Sequence, residues 1–536
     1  MQHPGATDGS SEPAVEPPAE AVALTHRPLH HRQFVVGPAR VAPDGGWHAE
    51  PVEGSFVLSA SPALRIARVR DGAGVAWHLL GRAVAAAPGA APPEDELRAR
   101  TGEPIERVYS RWAGRWALVG DGEIHTDASG AMGCYYRSAV DGGLWVSNSP
   151  ALVNDLPGVP PAAPVGPPLL ARGHGMDWYP PPATRFDGIH RLLPSQVLRM
   201  SSDGSRVRPR KLLDDAFTGM EHDRLIDAVE SILRTTLTSY AATGRECWLP
   251  LTGGIDSRLV LAAAAAVGAP FTAYTFAGPG TPRADIELPP LLAAAVERPH
   301  VLLPPSLLRP HRRALYDLHT AHHSVEVDRE LFARSQPDSI PQGALSLRGG
   351  IFEVGRGFYA ARMPEHLPDD AVEAGDLIAR RFQFDRFHRG SKAHRDGIRR
   401  WLAWMREEPQ PGLDWRDRMY LEQTIAGWLS ATAQALDLVA CELAYPANSQ
   451  LLLSAVLAID PERRRRGEHH VELIGRLAPA LLDYPINPPE PFGARSAALL
   501  RRELHDLLTY PGRLHYVRSR AAWLSDQVRA RRTPGR

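Results

Sequence analysis

The chain has 536 residues, enough for two or more domains, and 43% of them are hydrophobic, as in globular proteins. Its 61 Lys and Arg residues balance 61 Asp and Glu residues, so we expect neither a nucleic-acid nor a membrane partner. The three cysteines, Cys134, Cys247 and Cys441, are too widely spaced for a zinc ribbon or a disulfide framework. This cysteine usage favours a reduced, cytoplasmic protein.

Residues 1–27 contain neither a basic start nor a compact apolar stretch, which argues against a signal peptide. Their composition predicts a disordered, acidic tail. Residues 259–278 are apolar and long enough to span a bilayer, but a Gly-Ala-Pro break divides them. The second half is β-branched and aromatic, so we expect a buried helix followed by a buried strand.

Short alternating runs joined by Asp-Gly turns predict a β-rich domain over residues 28–205. The predicted strands lie in "GSFVLSA", "LRIARV", "VAWHLLG", "RWALVGDGEIHTD", "MGCYYR" and "LWVSNS". A proline-rich stretch, "LPGVPPAAPVGPP", cannot be a core element and predicts a loop.

A second domain is predicted over residues 215–536, where the pattern becomes helical. The run "RLIDAVESILRTTLTSYAAT" has apolar residues at helical spacing. The segments "CWLPLT", a glycine loop, "DSRLVLAAAAAV" and "PFTAYTF" follow as strand, loop, helix and strand. This order predicts the start of a parallel α/β unit, and after about residue 310 the pattern is mostly helical.

The glycine loop, "PLTGGIDSR", combines flexible and polar residues at the junction of strand and helix. Such a turn points several backbone amides at one place, where the helix dipole adds positive charge. Phosphate is the usual ligand of such a site. Gly253 and Gly254 allow positive φ and close approach, while Thr252 and Ser257 offer hydroxyls. Asp256 would repel phosphate, which indicates a bridging Mg²⁺.

Two common phosphate motifs do not match this loop. The Gly-Lys-Ser/Thr ending of a Walker loop is absent, and so is the G-x-G-x-x-G spacing of a dinucleotide fingerprint. The alternative to a phosphate loop is a capped helix after an ordinary glycine turn.

The Gly-Gly-x-Asp-Ser run resembles the pyrophosphatase-type loop of the asparagine synthetase superfamily, with Thr252 in place of the usual serine. In the same order along the chain, "YTFAG" resembles the family's adenine-holding strand, and Asp285 fits an aspartate that precedes a helix. The run "CELAYP" is similar to a Glu-x-Arg-x-Pro element. Upstream, "DGEIHTDASGAMGCYY" and "LWVSNSPALV" resemble an amidotransferase-type domain.

The resemblance implies an α/β and α+β two-domain fold. Its N-terminal part would be a degenerate Ntn-amidotransferase-like, β-rich sandwich. Its C-terminal part would be a PP-loop domain, similar to adenine nucleotide α-hydrolases, with a parallel sheet and added helices. The implied activity is ATP-dependent and AMP-forming: a carboxylate is adenylated, pyrophosphate leaves, and an amine attacks.

Glutamine-hydrolysing family members begin with a cysteine after the initiator methionine, whereas Gln2 follows Met1 here. Cys134, in a strand-like run, is expected to be a core residue. We therefore expect no glutaminase activity, as in the similar β-lactam synthetases. Lasso peptide macrocyclases also belong to this superfamily. The implied substrate is a small-molecule or peptide carboxylate in specialised metabolism, with a precursor peptide or carrier protein as a partner and a homodimer as a candidate assembly.

The resemblance also implies roles for individual residues. ATP would contact Leu251, Thr252, Gly253, Gly254, Asp256, Ser257, Arg258, Tyr274, Thr275, Phe276, Gly349 and Gly350. Mg²⁺ would bind Asp256 and Glu353. The candidate catalytic residues are Tyr359, Glu442 and Arg495.

Two departures from the family pattern bear on turnover. The run "SLRGGIFEVGRGFY" lacks an expected aspartate and adds Arg348 and Arg356, which suit a carboxylate or phosphate partner or else pair with surface acids. No lysine follows Lys392, so Arg495 is the candidate substitute for a late family lysine. Tyr359 and Glu442 are the candidate acid/base pair.

Ala444 and Arg258 occupy positions where the family pattern has arginine and serine. Arg258 either contacts the nucleotide or is solvated on the first turn of the helix. The paired His469 and His470 predict a helix surface rather than a metal site.

Two further runs are ambiguous. "RRRR", residues 463–466, predicts a solvated helix face, with contact to an acidic peptide or carrier protein as the alternative. "WLAWM", residues 401–405, predicts core packing or the lining of a hydrophobic pocket.

Two rival hypotheses remain beside the amide synthetase. One is a non-catalytic homologue that binds a peptide or a partner enzyme, which the missing lysine and the altered loop favour. The other keeps amide chemistry but takes ammonia or a donor amine from another protein.

Overall fold

The computed structural model of the chain describes residues 29–43, 46–52, 54–138, 143–166, 178–201, 204–278, 281–304, 310–321, 323, 336–381, 391–439 and 441–489. These residues form a mixed α/β protein with two antiparallel sheets and one parallel sheet. The expected tail over residues 1–27 and the candidate Arg495 lie outside the described residues.

The antiparallel sheets are built from the first part of the chain. Their strands are β1 Phe34–Gly37, β2 His48–Pro51, β3 Val57–Ala60, β4 Ile66–Arg70, β5 Ala76–Ala85, β6 Trp112–Gly120, β7 Glu123–Thr126, β8 Tyr135–Ser138, β9 Leu144–Ser147, β10 His190–Arg191, β11 Gln196–Ser201 and β12 Gly204–Pro209. The first sheet has the order β10-β8-β9-β1-β3-β2, and the second has the order β12-β11-β7-β6-β5-β4. Because β12 pairs with β11, the β-rich part runs to residue 209, beyond the predicted boundary at 205.

The two antiparallel sheets pack face to face as a sandwich. Side chains alternate between the two faces of a strand, so Phe34 and Val36 of β1 both point into the shared core. Leu80 of β5 and Val119 of β6 meet them from the second sheet. The outer face of the second sheet is covered by two short helices, α1 Pro93–Ala99 and α2 Ile105–Tyr109, which bury tryptophans of β5 and β6.

The parallel sheet positions the candidate site. Its strands are β13 Cys247–Pro250, β14 Phe271–Phe276, β15 His300–Leu303, β16 Leu345–Leu347 and β17 Glu442–Ala444, in the order β15-β14-β13-β16-β17. All four pairings are parallel, which confirms the predicted α/β unit. The chain winds outward from β13 to β15, then returns to form β16 beside β13, and ligands of such sheets bind at the carboxyl ends of the strands where the order reverses.

Helices surround the parallel sheet. A further short helix, α3 Pro150–Asn154, belongs to the sandwich. The helices around the parallel sheet are α4 His222–Ala241, α5 Ile255–Ala266, α6 Arg283–Ala295, α7 Pro310–His319, α8 Ala371–Arg381, α9 Ser391–Glu407, α10 Trp415–Met419, α11 Ser430–Leu436, α12 Gln450–Leu457, α13 Pro461–Arg466 and α14 Glu468–Leu477. A π-helix, Tyr420–Leu429, joins α10 to α11. Short 3₁₀ turns cover Asp215–Phe217, Gln336–Ser339, Phe352–Arg356 and Pro479–Asp483.

The apolar stretch at residues 259–278 contains most of α5 and all of β14, as predicted. Within the described ranges, no helix combines the length and the apolar character that crossing a bilayer requires.

Buried charges join the sandwich to the parallel sheet. Arg115 of β6 forms two hydrogen bonds, of 2.6 and 2.8 Å, with the carboxylate of Asp437, which follows α11. Arg82 of β5 likewise donates two hydrogen bonds, of 2.8 and 3.0 Å, to the carboxylate of Glu442 in β17. Paired guanidinium–carboxylate contacts of this kind hold two surfaces in one register.

Candidate functional site

The glycine loop leaves the carboxyl end of β13 and is anchored to β14. The Leu251 amide donates to the Tyr274 carbonyl at 2.8 Å, and the Thr275 hydroxyl donates to the Leu251 carbonyl at 2.7 Å. Leu251 and Tyr274 are buried, and the Tyr274 hydroxyl lies 2.8 Å from Ser346 Oγ. The side chains of Tyr274 and Thr275 are therefore engaged within the fold, whereas the half-buried Phe276 ends the strand. Contact of this strand with adenine stays a prediction.

Two hydroxyls shape the loop from within. Gly254 donates its amide hydrogen to Thr252 Oγ1 at 3.2 Å, and Thr252 Oγ1 lies 3.0 Å from Ser257 Oγ. The Thr252 amide also donates to Ser257 Oγ, at 3.2 Å. These bonds hold both hydroxyls at the mouth of the loop, where they can bond to an anion.

The two loop glycines lie where a side chain would have little space, and neither has a left-handed backbone. Gly254 has φ −77° and ψ 169°, and Gly253 does not have positive φ either, so that part of the prediction is wrong. A Cβ on Gly253 would lie 3.2 Å from Leu288 Cδ1, and one on Gly254 would lie 3.1 Å from Thr252 Oγ1. Asp285 closes the loop from α6, because its Oδ1 accepts the Gly253 amide at 2.7 Å.

The first turn of α5 is free to bind an anion. Gly254 is the N-cap residue, and within the described part of the chain no side chain caps the first turn. The amides of that turn have no partner inside the helix, and they carry the positive end of its dipole. The alternative of an ordinary capped helix therefore has only the Gly254 N-cap in its favour, and phosphate binding at this turn stays a prediction.

A second glycine loop, at the carboxyl end of β16, contacts the first turn of α5. A Cβ on Gly349 would lie 3.2 Å from the Asp256 carbonyl oxygen and 3.4 Å from the Ser257 nitrogen. A Cβ on Gly350 would meet only the side chain of Leu429, at 3.4 Å. The absence of a side chain at Gly349 therefore allows the two loops to form one crevice.

Asp256 points toward the turn that follows this second loop. Its Oδ2 accepts a hydrogen bond of 2.6 Å from a terminal nitrogen of Arg356. The same arginine nitrogen lies 3.7 Å from Glu353 Oε1. The Tyr420 hydroxyl donates to Glu353 Oε2 at 2.6 Å. Burial raises the pKa of Asp256 to about 6, although the charge of Arg356 opposes this effect. Arg356 thus pairs with Asp256 of the glycine loop and, at longer range, with the partly exposed Glu353.

The two carboxylates expected to bind Mg²⁺ hold a guanidinium instead. The arginine nitrogen lies within ion-pair distance of both Asp256 and Glu353. Arginine stays protonated in proteins, so it does not vacate such a position by losing its charge. As arranged here, the pair does not fit a divalent ion.

His469 and His470 of α14 lie beneath this cluster. Both are 1% exposed, so the prediction of a helix surface is wrong. His470 Nε2 lies 3.4 Å from Asp256 Oδ1, and neither ring nitrogen of His470 has a hydrogen-bond partner among the described residues. Burial lowers the pKa of His469 to about 3 and that of His470 well below its usual value.

Helical spacing was the signal that could have revealed these buried histidines. His469 and His470 lie four residues before Leu473 and Ile474, which are buried on the apolar face of α14. Residues four apart share a helix face, so the apolar stripe of α14 includes both rings.

Arg258 is a structural residue of the loop. Its side chain is fully buried, so neither solvation nor an open nucleotide contact describes it. One terminal nitrogen donates to the carbonyls of Leu481 and Tyr484, at 2.9 and 2.8 Å, and the other donates to Pro485 at 2.8 Å. These bonds fix the segment after α14 against the glycine loop.

Glu442 and Tyr359 do not form the expected acid/base pair. Glu442 begins β17 and pairs in register with Leu345, the first residue of β16, so it lies at the opposite edge of the sheet from the glycine loop. Arg82 and Arg245 bind it, and although burial favours its neutral form, these contacts lower its pKa.

Tyr359 lies elsewhere, with its ring buried and its hydroxyl 2.7 Å from Thr424 Oγ1 of the π-helix. Burial raises the pKa of this hydroxyl, so it stays protonated near neutrality.

The remaining candidates divide between core and surface. Cys134 is buried, as predicted, and burial raises the pKa of its thiol to about 12. Trp401 is fully buried and donates to Glu422 at 2.7 Å, which confirms core packing. Arg464 is buried and binds Asp417 at 2.9 Å, so the solvated-face prediction for the arginine run is wrong at this position. The other three arginines of the run are exposed.

In comparisons with known proteins, no family model and no curated protein matches this chain.

Proposed function

We propose that the crevice between the β13 and β16 loops binds ATP through its phosphates, and that the chain is an AMP-forming amide synthetase of the asparagine synthetase type. One observation carries the proposal: the uncapped first turn of α5 faces a glycine loop and an arginine at the point where the strand order reverses. The finer fold assignment, an Ntn-like sandwich beside a PP-loop domain, belongs to the same proposal.

The proposed reaction has two steps. A substrate carboxylate attacks the α-phosphorus of ATP, which forms an acyl adenylate and releases pyrophosphate. An amine then attacks the acyl carbon, and AMP leaves. The α5 amides, the Thr252 and Ser257 hydroxyls and Arg356 would stabilise the charge that develops on pyrophosphate.

The amine is proposed to come from the substrate or from a separate donor rather than from glutamine. Cys134, Cys247 and Cys441 are all buried, which argues against a cysteine nucleophile. Ring closure within one small molecule or peptide, giving a lactam or macrolactam, and amide formation between two molecules both fit this chemistry. Free ammonia is the alternative donor, and a precursor peptide or a carrier protein would supply the carboxylate.

A non-catalytic nucleotide-binding homologue is the second candidate. The engagement of Glu442 with Arg82 and of Tyr359 with Thr424 favours it, because neither side chain is available to accept a proton from the amine. A chain of this kind would bind ATP and a partner but release no AMP.

Calorimetry with ATP, followed by an assay of AMP release with candidate acids, tests the proposal. Thr252→Val removes the hydroxyl that orients the Gly254 amide, so ATP affinity should fall about tenfold, which corresponds to about 1.4 kcal/mol. Thr235→Val on α4 is the control, since that hydroxyl bonds only within its helix.

No ATP binding at millimolar concentration would contradict the proposed function. ATP binding without AMP release, in the presence of acids and amines, would support the non-catalytic candidate. Product formation that requires added ammonium would identify the ammonia-using alternative.

A further inference from the structure

We infer that Arg356 is the resident cation of the phosphate crevice and that pyrophosphate binds there without a metal ion held by Asp256 and Glu353. The inference rests on the proposed function and goes beyond it, because it states how the charge of the phosphates is neutralised. It also replaces the Mg²⁺ site expected on these two carboxylates.

The position of Arg356 supports this inference. Its guanidinium is 2.6 Å from Asp256 and 3.7 Å from Glu353, so it occupies the space between the two carboxylates. Tyr420 fixes the far oxygen of Glu353 with a hydrogen bond of 2.6 Å. A metal ion that bound both carboxylates would have to displace the guanidinium or lie beside it, and two cations at such a distance repel each other.

The turn that carries Arg356 is rigidly supported. It ends at Gly357, whose φ of 59° is in the left-handed region that favours glycine. A Cβ on Gly355 would lie 2.6 Å from Val456 Cγ1 and 3.3 Å from His469 Nε2, so the turn packs directly on α12 and α14. This packing fixes the backbone from which the Arg356 side chain reaches Asp256.

Unused hydrogen-bonding capacity remains around Arg356. Its Nε is a buried donor that has no hydrogen-bond partner among the described residues. Asp256 Oδ1 is a buried acceptor that likewise has no hydrogen-bond partner among them. His470, nine-tenths buried or more, turns an unpartnered Nε2 toward that oxygen at 3.4 Å. A guanidinium has five donors in a planar fork, so one edge can hold a carboxylate while the remaining donors reach phosphate oxygens.

Binding of inorganic pyrophosphate, measured by calorimetry in EDTA and again in Mg²⁺, tests the inference. The wild-type dissociation constant should differ by less than about threefold between the two conditions. Arg356→Gln should weaken binding in EDTA by about tenfold or more, and Mg²⁺ should restore much of it, because the two carboxylates then lack a cation. Arg356→Lys retains a positive charge without the fork and should give an intermediate affinity.

Arg362→Gln is the matched control. Arg362 lies six residues further along and is exposed, with its guanidinium over the Phe358 ring, so this variant removes the same charge without touching either carboxylate. Its pyrophosphate affinity should equal that of the wild type. Melting curves of all variants show whether a loss of binding is a loss of folding.

Mn²⁺ alone, followed by electron paramagnetic resonance, reports on the carboxylates directly. The Arg356→Gln variant should gain a Mn²⁺ site that the wild type lacks. A wild-type Mn²⁺ site that Asp256→Asn removes would overturn the inference.

Two calorimetric results separate this inference from the proposed function. Pyrophosphate binding by the wild type only in Mg²⁺, or unchanged binding by Arg356→Gln in EDTA, would overturn the inference and leave the proposed function standing. Failure to bind pyrophosphate and ATP in both conditions would overturn the proposed function itself.

Discussion

Arginine–carboxylate pairs occur both at the interface between the sandwich and the parallel-sheet part and in the glycine-loop crevice. The two regions differ in whether buried polar atoms of the paired side chains remain without a hydrogen-bond partner. At the interface, Arg115 donates two hydrogen bonds to the Asp437 carboxylate, and Arg82 and Arg245 bind Glu442. Within the described residues, none of these five side chains has a buried polar atom without a partner.

In the crevice, by contrast, Asp256, Arg356 and His470 each keep a buried nitrogen or oxygen without a partner in the described part of the chain. Leaving buried polar atoms unpaired costs free energy, and a ligand that completes the bonds recovers it. The saturated interface therefore has a structural role, and the unsaturated crevice is the better candidate for binding.

Breaking the saturated pair should have the largest effect. Arg115→Leu leaves the Asp437 carboxylate buried without its partner, which should cost about 3–5 kcal/mol of stability. The measurement is the thermal unfolding temperature. The double variant Arg115→Leu/Asp437→Leu should recover part of the loss, because no lone charge remains buried. Equal stabilities for the wild type and Arg115→Leu would contradict a structural role for the interface pair.

Glu442→Gln should separate structure from binding. Two arginines would lose their anionic partner, and because Glu442 keeps 17% of its side-chain surface exposed, the cost should be about 2 kcal/mol. Affinity for ATP, measured by calorimetry, should stay within about twofold of the wild type, since Glu442 lies at the far edge of the sheet. Loss of ATP affinity without any loss of stability would show that Glu442 takes part in ATP binding.

The interface should also respond to acid through His319, the last residue of α7, whose ring lies between the His30 amide and the Gln434 carbonyl. Burial lowers the pKa of His319 to about 3, and His30, His31 and Arg115 act in the same direction. The usual pKa is 6.5, so as the pH falls the unfolded chain binds a proton at this histidine before the folded chain does. The contribution of His319 to the free energy of unfolding is therefore fully present above pH 6.5 and is lost as the pH drops below that value.

At pH 5 this single group should cost about 2 kcal/mol. His319→Gln can keep the bond to the Gln434 carbonyl but cannot be protonated. The drop in unfolding temperature between pH 7.5 and pH 5 should therefore be smaller in the variant. An identical drop in both proteins would show that another group dominates.

The smallest effect is expected from two neighbouring glycines of the crevice. Gly349→Val would push against the backbone of Asp256 and Ser257, whereas Gly350→Ala would meet only a movable leucine side chain. ATP affinity should fall about tenfold in the first variant, about 1.4 kcal/mol, and about twofold or less in the second. Equal affinities would mean that contact between the two loops is not required for binding.

Local patterns were enough to predict much of the fold. Alternating runs predicted most strands of the sandwich, and helical spacing predicted α4. Among the missed strands are β1, which is buried at all four positions, and β2, which has no buried position, so neither run alternates. The short helices α1 and α2 were missed as well, since five to seven residues carry little periodicity.

The candidate site was predicted in part. The polar residues of the glycine loop lie together at the end of β13, and Arg356 reaches them from a turn that is 100 residues further along the chain. The pairing of Glu442 with Tyr359 was wrong because strand register, which depends on the whole sheet, puts Glu442 at the amino edge. The surface assignment for His469 and His470 failed although their helical spacing pointed inward.

The sequence by itself determined the glycine loop, the strand before it and the helix after it, because turn chemistry and helical periodicity depend on neighbouring residues. Only the tertiary structure decided that Arg356 lies between Asp256 and Glu353, while Arg258 and Glu442 are taken up by structural contacts. The physical reason is that a charged side chain takes whichever partner the fold brings within a few ångströms, and that distance depends on strand order and register rather than on separation along the chain.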